Sequence, residues 1–146
     1  MKIQLIWVGK TRERFIHDGL HKYLKLLQPY ADVVITEIRE EKVKDISRML
    51  GKEGERIQNL KVPYILLDEK GEHLDSLAFS RFIDKQGRSA AFLFGGAYGV
   101  SEAVKAKAIR KLALSPMTLT HEMARLIFME QLYRSFTIIQ KKGYHH

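Results

Sequence analysis

The 146-residue sequence has no cysteine, so disulfides and thiolate metal centres are excluded. Proline is scarce, with three residues in the whole chain, and no internal repeat or low-complexity stretch interrupts it. Repeat architectures and disordered tails are thereby set aside. No run approaches the roughly 20 apolar residues of a membrane span. The opening MKIQLIWVGK lacks the longer apolar core and small-residue cleavage site of a secretion signal. The expectation is a soluble cytoplasmic chain. Acidic residues are in the minority, 17 Asp and Glu against 25 Lys and Arg, for a net charge of +8. A positive excess of that size on a small domain favours a polyanionic partner. The charge is spread along the chain, so a folded surface must present it.

What is present is the material of one ordinary globular domain, expected to span residues 1–146. Ile3 to Val8 is a nearly continuous apolar run and reads as a buried strand. Phe15, Ile16, Leu20, Tyr23, Leu24 and Leu27 recur at helical spacing between Arg12 and Gln28, stopped by Pro29. Val33 to Ile38 reads as a second strand. The stretch from Val43 to Leu60 is helical in pattern but interrupted at Gly51 and Gly54. Tyr64 to Leu67 reads as a third strand ending in the turn Asp68-Glu69-Lys70-Gly71. Asp75 or Ser76 can cap a helix running to about Gln86. Ala90 to Phe94 is a fourth strand, and a short helix starts at Ser101. Leu112 to Leu114 is a fifth strand, and a long helix spans about Thr120 to Gln140.

Strands alternating with helices predict an α/β fold with a mainly parallel sheet flanked by helices. Ligands of such sheets bind beyond the carboxyl ends of the strands. Three loops stand there: after Leu67, at Gly95-Gly96, and at Ser115-Pro116-Met117. Gly95-Gly96-x-x-Gly99 permits close backbone approach to a ligand. It is neither a dinucleotide fingerprint nor a phosphate loop, and a merely structural turn would read the same. His121-Glu122-x-x-Arg125 resembles a zinc-protease motif until its last position, where arginine cannot ligate a metal. His17 and His21 have a metal-capable spacing but no third ligand nearby, so an exposed helix face is expected and no metal site is assigned. The long last helix is apolar nearly all round, which requires burial in the core or at a subunit interface. Glu130 and Arg134 stand four apart in the order that favours a helix ion pair.

The ordered set Phe94-Gly95-Gly96-Ala97-Tyr98-Gly99, Leu114 to His121, Glu130-Gln131-Leu132-Tyr133-Arg134 and Tyr144-His145 resembles one family. It is similar to the RlmH group of SPOUT methyltransferases. Val8-Gly9-Lys10, Lys52 to Ile57 and Leu67-Asp68-x-x-Gly71 extend the likeness over the whole chain. The resemblance implies a C-terminal trefoil knot, a homodimer, and S-adenosyl-L-methionine bound in the knot. It implies methylation at N3 of a pseudouridine in 23S ribosomal RNA, within the large subunit or the assembled ribosome, with no metal and no membrane. Carried over by position, the cofactor-binding residues would be Leu67, Gly95, Gly96, Leu114, Ser115, Pro116, Met117, Thr118 and Leu119. The catalytic residues would be Arg134, His145 and Tyr144. Pro116 and Thr120 depart from the family pattern, and His146 stands where relatives usually carry Lys or Arg. Two other readings stay open at this point: a non-catalytic RNA-binding or ribosome-assembly factor of the same fold, and a SPOUT methyltransferase acting on another RNA.

Overall fold

The computed structural model describes residues 1–146. Ten elements alternate along the chain: β1 (Lys2–Val8), α1 (Arg14–Leu27), β2 (Asp32–Ile38), α2 (Ile46–Asn59), β3 (Ile65–His73), α3 (Ser76–Asp84), β4 (Ser89–Phe94), α4 (Glu102–Lys107), β5 (Arg110–Ala113) and α5 (His121–Ile139). The five strands form one sheet in the order β2-β1-β4-β3-β5. All pairings are parallel, so every strand ends at the same edge. No helix is long and apolar enough to cross a membrane.

Successive strand residues face opposite sides of the sheet, so each apolar strand feeds two cores. Ile3, Leu5, Trp7, Ile65, Phe92 and Phe94 point into one, which α1, α3 and α5 cover with Ile16, Leu20, Phe79, Ile83, Phe128 and Leu132. Ile6, Val8, Leu66, Ala91 and Leu93 point into the other, beneath Ile57 of α2 and Val104 of α4. The long helix α5 is thus a core element of its own chain. No residue from His121 to Ile139 is fully exposed, yet Met123, Ala124, Leu126, Ile127, Glu130, Arg134 and Ile138 are only half-buried.

Helix starts follow local chemistry. The side chains of Asp45, Asp75, Ser101 and Thr120 each accept a backbone N–H two or three residues into their helices, as N-caps do. Two sequence expectations are corrected. Helix α2 runs unbroken through Gly51 and Gly54. A helical glycine costs about 0.5–1 kcal/mol but does not break hydrogen bonding, and Gly54 lets α2 approach Ser101 and Val104 closely. The second correction concerns β3. It does not end at Leu67. Leu67 and Glu72 both pair with Leu112, so Asp68 to Gly71 leave the ladder as a wide bulge before the strand resumes to His73. The anticipated turn is real, but it interrupts a strand instead of ending one.

Candidate functional site

A cavity of about 770 Å³ opens at the carboxyl edge of the sheet, within the size range of small-molecule sites. The three loops singled out in the sequence converge on it. The β3 bulge supplies Leu67, Asp68, Glu69 and Lys70; the β4–α4 loop supplies Gly95 to Val100; the β5–α5 loop supplies Leu114, Ser115, Met117, Thr118 and Leu119. Of the nine expected cofactor residues, eight line the cavity and Pro116 does not.

The glycine loop has little slack. A Cβ on Gly95 would lie 2.7 Å from the backbone carbon of Gly99. The loop folds back on itself through the hydrogen bond from Gly99 N–H to the Gly96 carbonyl, 3.0 Å. Side chains at Gly95 would push this turn into the cavity or away from it. Across the opening, Thr118 Oγ1 donates to Glu69 Oε2 at 3.0 Å, joining two of the three loops. Tyr98 and Met117 stand 62% and 75% exposed at the rim.

Sequence reasoning missed the floor. His121 and Ala124, in the first turn of α5, also line the cavity. Burial, aided by the Arg125 charge, lowers the His121 pKa, so its imidazole is neutral at pH 7. The available signal was position: a loop that lines a site is followed by a helix whose first turn must border it.

A second constellation lies farther along α5. Glu130 Oε1 accepts Arg134 Nη2 at 2.5 Å, Arg134 Nε at 3.1 Å and the Tyr144 hydroxyl at 3.1 Å. Arg134 Nη1 meets His145 Nδ1 at 3.0 Å. The guanidinium also lies over the Tyr144 ring, 4.9 Å from its centroid. The bond from Glu130 raises the Arg134 pKa further. Burial and the Glu130 carboxylate raise that of Tyr144, so the phenol keeps its proton. The three expected catalytic residues are therefore together, and the tail is docked rather than frayed.

They are not together with the cavity of their own chain. None of the three lines it. Ala124 and Arg134 are ten residues apart on one helix, about 15 Å at 1.5 Å per residue. Reacting groups must approach within roughly 3–3.5 Å. An arginine side chain cannot span the difference.

The residues of the broken zinc-protease motif have structural work. Arg125 is fully buried and donates to the Val8 carbonyl at 2.7 Å and to Thr11 Oγ1 at 3.0 Å, with its guanidinium 4.8 Å from the Trp7 ring centroid. Burial lowers its pKa to about 10, which leaves it charged at pH 7. Glu122 Oε1 accepts the backbone N–H groups of Arg12 and Glu13, each at 3.0 Å, at the start of α1. The cavity floor is thereby tied to the β1–α1 loop.

For Glu122, burial acts to raise the pKa, but the two N–H bonds and Arg125 outweigh it and the net shift is downward. A carboxylate with a lowered folded-state pKa contributes stability above its unfolded value. That contribution is lost as pH falls through the folded value. Glu122→Gln should therefore destabilise the protein at pH 7 by about 1–3 kcal/mol. The gap between variant and wild type should close below the ordinary carboxylate range, which thermal melts across pH 3–7 would check.

The His17 and His21 rings lie 4.5 Å apart and tilted on the outer face of α1, and no group of three metal-ligating side chains assembles in the structure.

Residues 1–145 match a family described as predicted SPOUT methyltransferase. Ribosomal RNA large subunit methyltransferase H of Geobacter sulfurreducens is 42% identical over the full length of both chains. The protein of the same name from Geotalea daltonii is 39% identical, again over both full lengths. Among solved structures, a probable methylase family protein from Haemophilus influenzae superposes with a TM-score of 0.60 at 10% identity, covering 99% of this chain and 70% of that one. A probable methyltransferase from Bordetella pertussis superposes at 0.54 with 11% identity, covering 92% and 95%. Those distant likenesses concern the fold.

Proposed function

Because this chain belongs to the SPOUT methyltransferases, in the group of ribosomal RNA large subunit methyltransferase H, we propose that it methylates 23S ribosomal RNA from S-adenosyl-L-methionine, at N3 of a pseudouridine. The carrying observation is the cavity formed where three separate loops meet at the carboxyl edge of the sheet. Its contents suit the cofactor: Leu67 and Leu114 offer apolar walls for adenine, and main chain comes close at Gly95 and Gly96. Leu67, Gly95, Gly96 and Leu114 to Leu119 would hold the nucleoside, with Pro116 shaping its loop from outside. When bound, the cofactor supplies a methyl group on a sulfonium that is its own leaving group.

The chain's part is to position and to balance charge. An imide nitrogen must lose its proton before it can attack, and negative charge then spreads over the ring. Arg134 is a fixed cation able to hold that charge, and His145 and Tyr144 flank it.

The reading requires two copies. Each cavity lies about 15 Å along α5 from its own Arg134. A homodimer that sets one chain's Arg134, Tyr144 and His145 over the partner's cavity removes that separation. The half-buried stripe of α5 is the surface such a partner would cover, which also suits a helix with so little polar surface. We further infer that the segment from Leu114 to Thr120 threads the loops it touches and forms a trefoil knot. Support comes from the route: β5 sits at the far edge of the sheet, yet α5 returns to pack on α1 as well as α3.

The partner is polyanionic. Around the proposed catalytic group, Tyr23, Tyr30, Tyr133 and Tyr144 make a continuous aromatic wall. Lys22, Lys142 and Arg134 lie over three of these rings. Such cations suit a phosphate backbone, and binding should weaken steeply with salt. The protein is expected to act in the cytoplasm as one domain of residues 1–146, without a metal.

The test combines calorimetry with S-adenosyl-L-methionine and mass spectrometry of ribosomal RNA from a deletion strain. Cofactor binding with loss of one methylated pseudouridine is expected. No cofactor affinity would leave a non-catalytic ribosome-assembly factor, and a methyl missing from another RNA would redirect the substrate.

A further inference from the structure

We propose that His145 acts as a hydrogen-bond donor through Nε2–H and is not the general base of the reaction. This rests on the methyltransferase reading above and specifies the chemistry of its catalytic group.

The argument is one of donors and acceptors. A guanidinium has five N–H donors and no acceptor. His145 Nδ1 lies 3.0 Å from Arg134 Nη1, so Nδ1 must be the accepting, unprotonated nitrogen. The ring proton then resides on Nε2, which makes no hydrogen bond within the chain. A second proton on Nδ1 would face an arginine N–H and break the contact. In this arrangement the imidazole can give a hydrogen bond to a substrate, but its basic nitrogen is already occupied.

The neighbouring side chains are engaged in the same network. Glu130 Oε1 takes both Arg134 and Tyr144, while Oε2 accepts Gln131 Nε2 at 2.8 Å. Gln131 is in turn fixed by Ser76 Oγ, which donates to its Oε1 at 2.6 Å. Tyr144 donates to Glu130, and its raised pKa keeps it a phenol. Glu130 Oε2 keeps a lone pair beyond the one that takes Gln131, whereas the bare nitrogen of His145 is held by Arg134.

What does remain is a set of donors. Glu130 and His145 take three of the guanidinium's N–H groups, leaving one on Nη1 and one on Nη2. With Nε2–H of His145 these form a set of donors that suits an anion. The imide proton then passes to water rather than to His145. When bound, the cofactor would give its methyl group to the ring nitrogen's electron pair, and the sulfonium sulfur would take back the electrons of the broken S–C bond. Glu130 matters here by fixing the orientation in which those donors are presented.

The test uses the full-length protein in two ways. Long-range nitrogen–proton correlation spectra of selectively labelled wild-type protein report which ring nitrogen of His145 bears the proton. The expected result is Nε2–H with Nδ1 bare; a proton on Nδ1 overturns the proposal whatever the activity. Turnover of His145→Gln, His145→Asn and His145→Ala provides the second readout. Glutamine can place an amide N–H where Nε2–H lies but is no base, and asparagine reaches only the Nδ1 position. His145→Gln should stay within about tenfold of wild type, and the other two should fall about a hundredfold. Equal loss in all three would make His145 the base and sink the proposal. If wild type bound no cofactor and transferred no methyl, the broader reading would fail instead, and the spectra would still report the tautomer.

Discussion

Arg134→Ala should lower methyl transfer by about 10²–10³-fold or more while leaving cofactor affinity within a few-fold of wild type. The two effects separate because Arg134 lies outside the cavity of its own chain and carries the only fixed positive charge in the Glu130–Tyr144–His145 group. Removing a donor aimed at developing charge typically costs about 2.7–4 kcal/mol of barrier. Arg134→Lys should recover only part of it. A lysine ammonium keeps the charge but cannot bond Glu130 and His145 in two directions at once. The fold should survive both changes, since Phe128, Leu132 and Phe136 hold α5 in the core. Single-turnover transfer to large subunits, alongside calorimetry with the cofactor, would check this. Wild-type turnover from Arg134→Ala would remove the arginine from the mechanism.

Mixing two inactive proteins should restore activity. Gly95→Val is expected to spoil the cavity, because its side chain collides with the Gly99 backbone. Arg134→Ala removes the proposed catalytic arginine. If each site joins the cavity of one chain to the arginine of the other, a hybrid dimer holds one intact site and one doubly defective site. After random subunit exchange at equal amounts, roughly a quarter of all sites should be active. A site built within one chain gives none, since every chain in the mixture then carries a defect. Melting curves of both variants would establish that each is folded before mixing. Recovery tests the separation along α5 directly; continued inactivity in demonstrably hybrid dimers would count against the composite site.

Much of the fold was legible because its elements are short and their periods clean. Ile3 to Val8 and Ala90 to Phe94 are apolar on both faces, as strands between two helical layers must be. The spacing of Ile16, Leu20 and Leu27 gave the buried face of α1. The caps at Asp75, Ser101 and Thr120 marked helix starts to within a residue. The errors came from reading glycine as punctuation. In α2, packing against α4 overrides the local cost of Gly54, and in β3 the pairing with β5 resumes after Gly71 because Glu72 and His73 find partners across the gap.

The candidate site divides in the same way. That three loops should meet at the carboxyl edge follows from a parallel α/β order, which is written in the sequence as a pattern of periods. The occupants of the cavity floor, His121 and Ala124, were signalled only by their place in the turn after the Thr120 cap; which side chains of that turn face the cavity is set by how α5 packs.

The residues alone determined the class of fold, the two-faced strands, the basic surface and the three loops, since each follows from local composition and spacing. Only the tertiary structure decided that Arg134, Tyr144 and His145 form one group, and that this group stands apart from the cavity of its own chain. It also decided which nitrogen of His145 is free. The physical reason is that hydrogen-bond direction and distance along a helix are properties of arrangement: a list of side chains names the donors and acceptors, but only their placement says which are already spent.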